Sequence, residues 1–114
     1  MTDPEFPRQP VIVTVTAEID KNNSVEVYRQ ICAAVVPGVG IVIADLTRTR
    51  FCGSSGVREI YRAYEQAVQN GTDMRIVIPP GQVMRVMELV GLDRVLPIYP
   101  SLRAALDPKL PVDN

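Results

Sequence analysis

The 114-residue sequence has no histidine, no tryptophan and only two cysteines. Without histidine there is no Ser–His–Asp triad, no Cys–His pair and none of the usual histidine-containing metal sites. Cys32 and Cys52 are too few and too irregularly placed for a disulfide framework or a zinc centre, so both are expected to be buried free thiols. No apolar run approaches the ~18 residues of a membrane-spanning helix, and no basic-then-apolar leader is seen. Nor is there an excess of one charge. The 12 Lys and Arg against 13 Asp and Glu leave a net charge of −1, far from the basic surplus with which nucleic-acid-binding domains neutralise phosphates. The P-loop and dinucleotide-binding glycine patterns are missing, and Gly53-Ser54-Ser55-Gly56 fails the G-x-S-x-G spacing of a nucleophile elbow. These absences argue against an enzyme. They lead us to expect a cytoplasmic protein without cofactor or metal, with no direct nucleic-acid contact and no membrane insertion.

What is present is ordinary for one globular domain: 46% hydrophobic and 22% charged residues, enough for one core and too little for two. Residues 1–10 carry three prolines and no periodicity, which reads as a flexible arm. Residues 11–106 hold the domain, and 107–114, with two prolines, read as a fraying tail. Val11 to Ile19 is rich in β-branched residues and predicts one strand with Val11, Val13 and Val15 inward. A polar turn leads to a helix capped by Asn23 or Ser24, with Tyr28, Ile31, Cys32 and Val35 at helical spacing. Val39 to Leu46 is apolar enough for a central strand covered on both faces.

Thr47 to Arg50 reads as a polar loop outside the core. The helix after it runs from Val57 to about Val68, with Val57, Ile60, Tyr61, Tyr64, Ala67 and Val68 on one face and Arg58, Glu59, Arg62 and Glu65 on another. Met74 to Ile78 predicts a third strand, followed by a helix with Val83, Val86, Met87 and Val90 inward and Met84 and Leu89 outward. Val95 to Tyr99 contains a proline and reads as an edge strand before a last helix through Leu102 and Leu106. Alternating strands and helices imply an α/β domain with a mostly parallel sheet of four to five strands and about four helices.

The organising stretch is Phe51-Cys52-Gly53-Ser54-Ser55-Gly56-Val57, where a strand hands over to a helix at the sheet edge. Ser54 there is either an N-cap, its oxygen accepting a first-turn N–H, or a functional hydroxyl in a place where anions are favoured. Asp20 is either a turn residue or a site carboxylate. Asp45 is expected to bind a loop backbone, and Cys52 to be a partly buried thiol rather than a redox sensor.

These segments, with Ala17-Glu18-Ile19-Asp20, Asp45-Leu46 and Gly91-Leu92-Asp93-Arg94-Val95-Leu96-Pro97, resemble in order and spacing the STAS domain, and within it the bacterial anti-sigma factor antagonists. The resemblance covers about residues 11–106. It implies a protein that binds an anti-sigma factor of the serine kinase type and releases a sigma factor, the kinase phosphorylating the serine that matches Ser54, with Ser55 as the adjacent candidate. It further implies a docking surface drawn from Asp20, Asn22, Gly53, Ser54, Ser55, Gly56, Arg58, Glu59 and Arg62. The family's motif has aspartate where this chain has Gly53. Either recognition by the kinase is lost, or Ser54 or Ser55 still accepts phosphate. Two other functions compete: a solitary STAS subunit of a membrane transport complex, with the same surface as a constant docking face, and a sensor of a nucleotide or small anion. A monomer or weak homodimer is expected.

Overall fold

The structure, a computed structural model, describes residues 9–107. The expected arm at 1–10 and tail at 107–114 therefore fall almost wholly outside the described residues. Gln9, Pro10 and Asp107 belong to no helix or strand.

Four strands form the main sheet: β1 (Val11–Thr14), β3 (Ile41–Asp45), β5 (Asp73–Val77) and β6 (Ile98–Tyr99), in the order β1-β3-β5-β6 with every neighbour parallel. The order advances in one direction, so right-handed crossovers place their helices on one face. That face carries α1 (Ser24–Ala33), α2 (Ser54–Gln69) and α3 (Gln82–Leu89). Its core joins Val42, Ala44 and Ile76 of the sheet to Val27, Ile31, Ile60, Ala63, Ala67 and Met87 of the helices. The short α4 (Leu102–Leu106) covers part of the opposite face, where Ala105 meets Ile43 and Val77. Its start has the expected chemistry, since Ser101 Oγ accepts from Ala104 N at 3.1 Å.

The strand expected over 11–19 is two strands. Its alternation of inward and outward residues holds throughout, but the chain leaves the main sheet after Val15 and re-pairs at β2 (Glu18–Ile19). β2 lies parallel to β4 (Phe51–Cys52), a strand too short to show a period, in a separate two-stranded sheet. The crossing is fastened by Thr49, which is buried rather than loop-exposed because its hydroxyl donates to the Thr16 carbonyl at 2.8 Å. Arg50 N donates to the Ala17 carbonyl at 2.7 Å.

α2 begins three residues earlier than its apolar spacing predicts, and its buried stripe runs through Gly56, Ile60, Ala63 and Ala67. The small residues of that stripe turn the helix so that Glu59 is covered and Val68 is exposed. On α3 the expected inner residue Val90 is exposed, while Met84, expected outside, packs half-buried on the core. A 3-10 turn at Leu92–Arg94 precedes β6.

Candidate functional site

The site is built where β2 and β4 end side by side. Their register pairs Glu18 with Phe51 and Ile19 with Cys52, and Gly53 N continues it by donating to the Ile19 carbonyl at 2.9 Å. The Asp20 turn and the serine-bearing turn are thereby held together at one end of the small sheet, each passing directly into a helix.

Ser54 is not the N-cap. Gly53 is, with φ −78° and ψ 177°, and Val57 N makes the first helical bond to its carbonyl at 3.0 Å. Ser54 is thus the first residue of α2. Among the described residues no side chain caps that helix end and no acidic residue lies in its first turn, so its leading N–H groups keep their partial positive charge unanswered by the side chains described. Ser54 is exposed and Ser55 half-buried.

Asp20 serves as a turn residue. Its carboxylate accepts from Asn22 N at 2.8 Å, and its carbonyl accepts from Asn23 N at 3.2 Å and Ser24 N at 2.9 Å. Asn23 does not cap α1 with its side chain. Its Oδ1 instead accepts from Asp20 N at 2.9 Å, and its Nδ2 donates to the Glu18 carbonyl at 2.8 Å. Asp45 binds a loop backbone as expected, accepting from Thr47 N at 2.9 Å.

Gly56 and Glu59 leave the expected docking surface. Gly56 is buried against Ile19 and Cys52. The Glu59 side chain is 10% exposed and accepts from Arg62 Nη1 at 2.6 Å. Arg62 in turn lies over the Tyr28 ring of α1, 4.5 Å from its centroid, so much of its side chain binds α1 to α2. Asp20, Asn22, Gly53, Ser54, Ser55 and Arg58 remain at least partly accessible. Sequence reasoning assigned Phe51 no part in the surface, yet the residue is 47% exposed beside Gly53. Its place one residue before a buried Cys52 on a strand was the available signal.

Burial pushes the Cys52 thiol up to about 11, which keeps it neutral and poorly nucleophilic. Among the described residues no cluster of His, Cys, Asp and Glu could hold a metal, and no helix is long and apolar enough to cross a membrane. A hollow of about 830 Å³ opens between α3 and β6 over Ile78, Met84 and Ile98, and Ser54 does not line it.

The STAS domain family matches the chain over residues 2–105. Rv2638 of Mycobacterium tuberculosis, provisionally named an anti-anti-sigma factor, is 32% identical over 99 residues, 84% of this chain; the chain spans 66% of that protein's length. The crystal structure of an anti-sigma factor antagonist from Mycobacterium paratuberculosis superposes with a TM-score of 0.78 at 29% identity, over 90% of this chain and 86% of that one. A Thermotoga maritima protein, provisionally named an anti-sigma factor antagonist, shares the fold at a TM-score of 0.72 and 20% identity, over 90% and 92% of the two chains. The chain belongs to the STAS domain family.

Proposed function

We propose that this chain is an anti-sigma factor antagonist, which binds an anti-sigma factor of the serine kinase type and is released by phosphorylation of Ser54. The observation that carries this reading is the place of Ser54: exposed, at the first residue of α2, on a turn fixed by the β2–β4 pair. A kinase can reach its hydroxyl without unfolding the domain, whereas Ser55 is partly covered. The names of Rv2638 and of the Mycobacterium paratuberculosis structure support the same class of function.

The switch is electrostatic. Phosphate adds about −1.5 to −2 charges to a neutral side chain. In the free domain that charge stays hydrated beside the leading N–H groups of α2. Across a closed interface it is desolvated and unpaired, at a cost of several kcal/mol, and each 1.4 kcal/mol is a factor of ten in affinity. One phosphate is therefore enough to release the partner.

The test is intact-mass analysis after incubation with ATP and each anti-sigma kinase of the source genome. The expected result is one phosphate on Ser54, absent in Ser54→Ala, and loss of kinase binding by the phosphorylated form. Binding without phosphorylation removes the switch and leaves an unregulated antagonist. Recovery of a transporter subunit as the bound partner, with no anti-sigma factor binding, refutes the proposal.

A further inference from the structure

Glycine in place of the motif aspartate changes what stands next to Ser54. A Cβ built on Gly53 would lie 3.6 Å from both Cε2 and Cζ of Phe51, and 3.7 Å from the Ile19 carbonyl oxygen. These are ordinary van der Waals distances. The backbone at Gly53, φ −78° and ψ 177°, is open to any L-residue. Neither space nor conformation requires glycine here. Its consequence is on the surface: any side chain at 53 would cover the edge of the Phe51 ring, an aspartate with a carboxylate, and glycine leaves that edge bare.

Phe51 has the properties of an anchor. Aromatic side chains dominate interface energetics when they enter a desolvated pocket. Val68, Leu89, Val90 and Val95 are more exposed, but none is aromatic and none lies on the 51–57 segment. Phe51 is also held in place. Arg50 N donates to Ala17 O, Phe51 N reaches the same oxygen at 3.4 Å, and Gly53 N donates to Ile19 O, so little backbone ordering remains to be done on binding.

Resting on the antagonist reading above, we infer that Gly53 is a specificity-determining position that bares Phe51 as the apolar anchor of the docking surface. The partner is an anti-sigma factor that receives the ring in an apolar pocket. Phe51 is a binding residue and Gly53 acts through it.

The inference is tested by calorimetric titration of the purified anti-sigma factors of the source genome. The titrants are the unmodified chain, Phe51→Ala, Gly53→Asp, the double variant, and Leu89→Ala, at a residue 80% exposed on α3. Phe51→Ala is expected to weaken binding at least about thirtyfold, and Gly53→Asp about tenfold. Gly53→Asp adds nothing further once Phe51 is gone, because its effect runs through the ring. Leu89→Ala binds as the unmodified chain does. Thermal unfolding is measured on every variant. Where Phe51→Ala does not fold, Phe51→Leu replaces it, with an expected loss of about fivefold. A folded Phe51 variant that binds within about threefold of the unmodified chain overturns the inference, as does an unchanged Gly53→Asp penalty in the Phe51 background. If the unmodified chain binds no anti-sigma factor, the antagonist reading fails and takes the inference with it.

Discussion

Gly56 lies directly on Ile19: a Cβ built on the glycine would stand 2.6 Å from Ile19 Cγ2 and 2.9 Å from Cys52 Sγ. Real Cβ contacts do not come so close, and neither neighbour can yield. Ile19 is wholly buried and branched at Cβ, and Cys52 is fixed on β4. The first turn of α2 is thus seated on the two-stranded sheet at a height only glycine permits. Gly56→Ala is expected to destabilise the domain by about 2–3 kcal/mol through overpacking. Urea unfolding should show a lower midpoint with an unchanged slope.

Gly53, three residues earlier, has the opposite prospect. Its backbone is extended, and an added Cβ meets only ordinary contacts. Gly53→Ala is expected to stabilise by about 0.4–1 kcal/mol by restricting the unfolded chain. Gly53→Asp adds a carboxylate that can accept a first-turn N–H of α2, worth a few tenths more. In a domain of this size about 1 kcal/mol raises the melting temperature by about 4–8 °C. The variant expected to bind its partner less well is therefore the more stable one, and calorimetric melting separates the two effects.

The different fates of these glycines show what the chain discloses before it folds. The apolar runs at 39–46 and 74–78 mark β3 and β5, because strands covered on both faces have nothing polar to interrupt them. The serine pair falls at a strand-to-helix passage because motif and periodicity agree there. The sequence does not disclose that the strand at 11–19 changes sheet, since its two-residue alternation survives the crossing. Nor does it place Glu59 under cover. That depends on how α1 packs against α2, which is a matter of packing rather than of pattern. The role of Gly56 needed the position of Ile19, 37 residues away in the chain.

Arg62 is first a structural residue. Its guanidinium pairs with Glu59 at 2.6 Å and lies over Tyr28. Removing it leaves a nearly buried carboxylate without its cation. Arg62→Ala should therefore cost about 1–2 kcal/mol, more than the ~0–1 kcal/mol of an exposed pair. Arg62→Lys, which keeps the charge but loses the planar stacking, should fall between. The double variant Glu59→Ala/Arg62→Ala should lose less than the sum of the single variants in urea unfolding. A residue engaged only in docking would show no such coupling.

Arg75 fastens α4 to the sheet. From β5 its Nη1 donates to the Ala105 carbonyl at 2.6 Å, while Nη2 and Nε hold Asp73 at 2.8 and 3.3 Å and the guanidinium faces the Tyr99 ring. A five-residue helix has too few turns to persist alone. Arg75→Met, similar in length but without donors, should leave that carbonyl unpaired at about 1–3 kcal/mol. Hydrogen exchange should accelerate first in the amides of α4, with those of β3 and α2 protected as before. Uniform acceleration across the domain would show that the contact matters no more to α4 than to the rest.

Cys52 ties the site to the pH dependence of stability. Burial pushes its thiol from an ordinary 9.0 up to about 11. As pH rises, the unfolded chain therefore gives up this proton before the folded one does. The thiol's contribution is intact below about pH 9 and declines as pH climbs towards 11, by up to about 3 kcal/mol in all. Cys52→Ala removes this contribution and leaves the other titrations in place. Between about pH 8 and pH 10.5, the urea-unfolding free energy of the unmodified chain should fall by about 2 kcal/mol more than that of Cys52→Ala. At about pH 8 a thiol reagent should label Cys32, which is half-buried, well before Cys52. Fast labelling of Cys52 in the folded protein would mean that the first turn of α2 lifts off β4 readily, and the pH effect should then vanish with it.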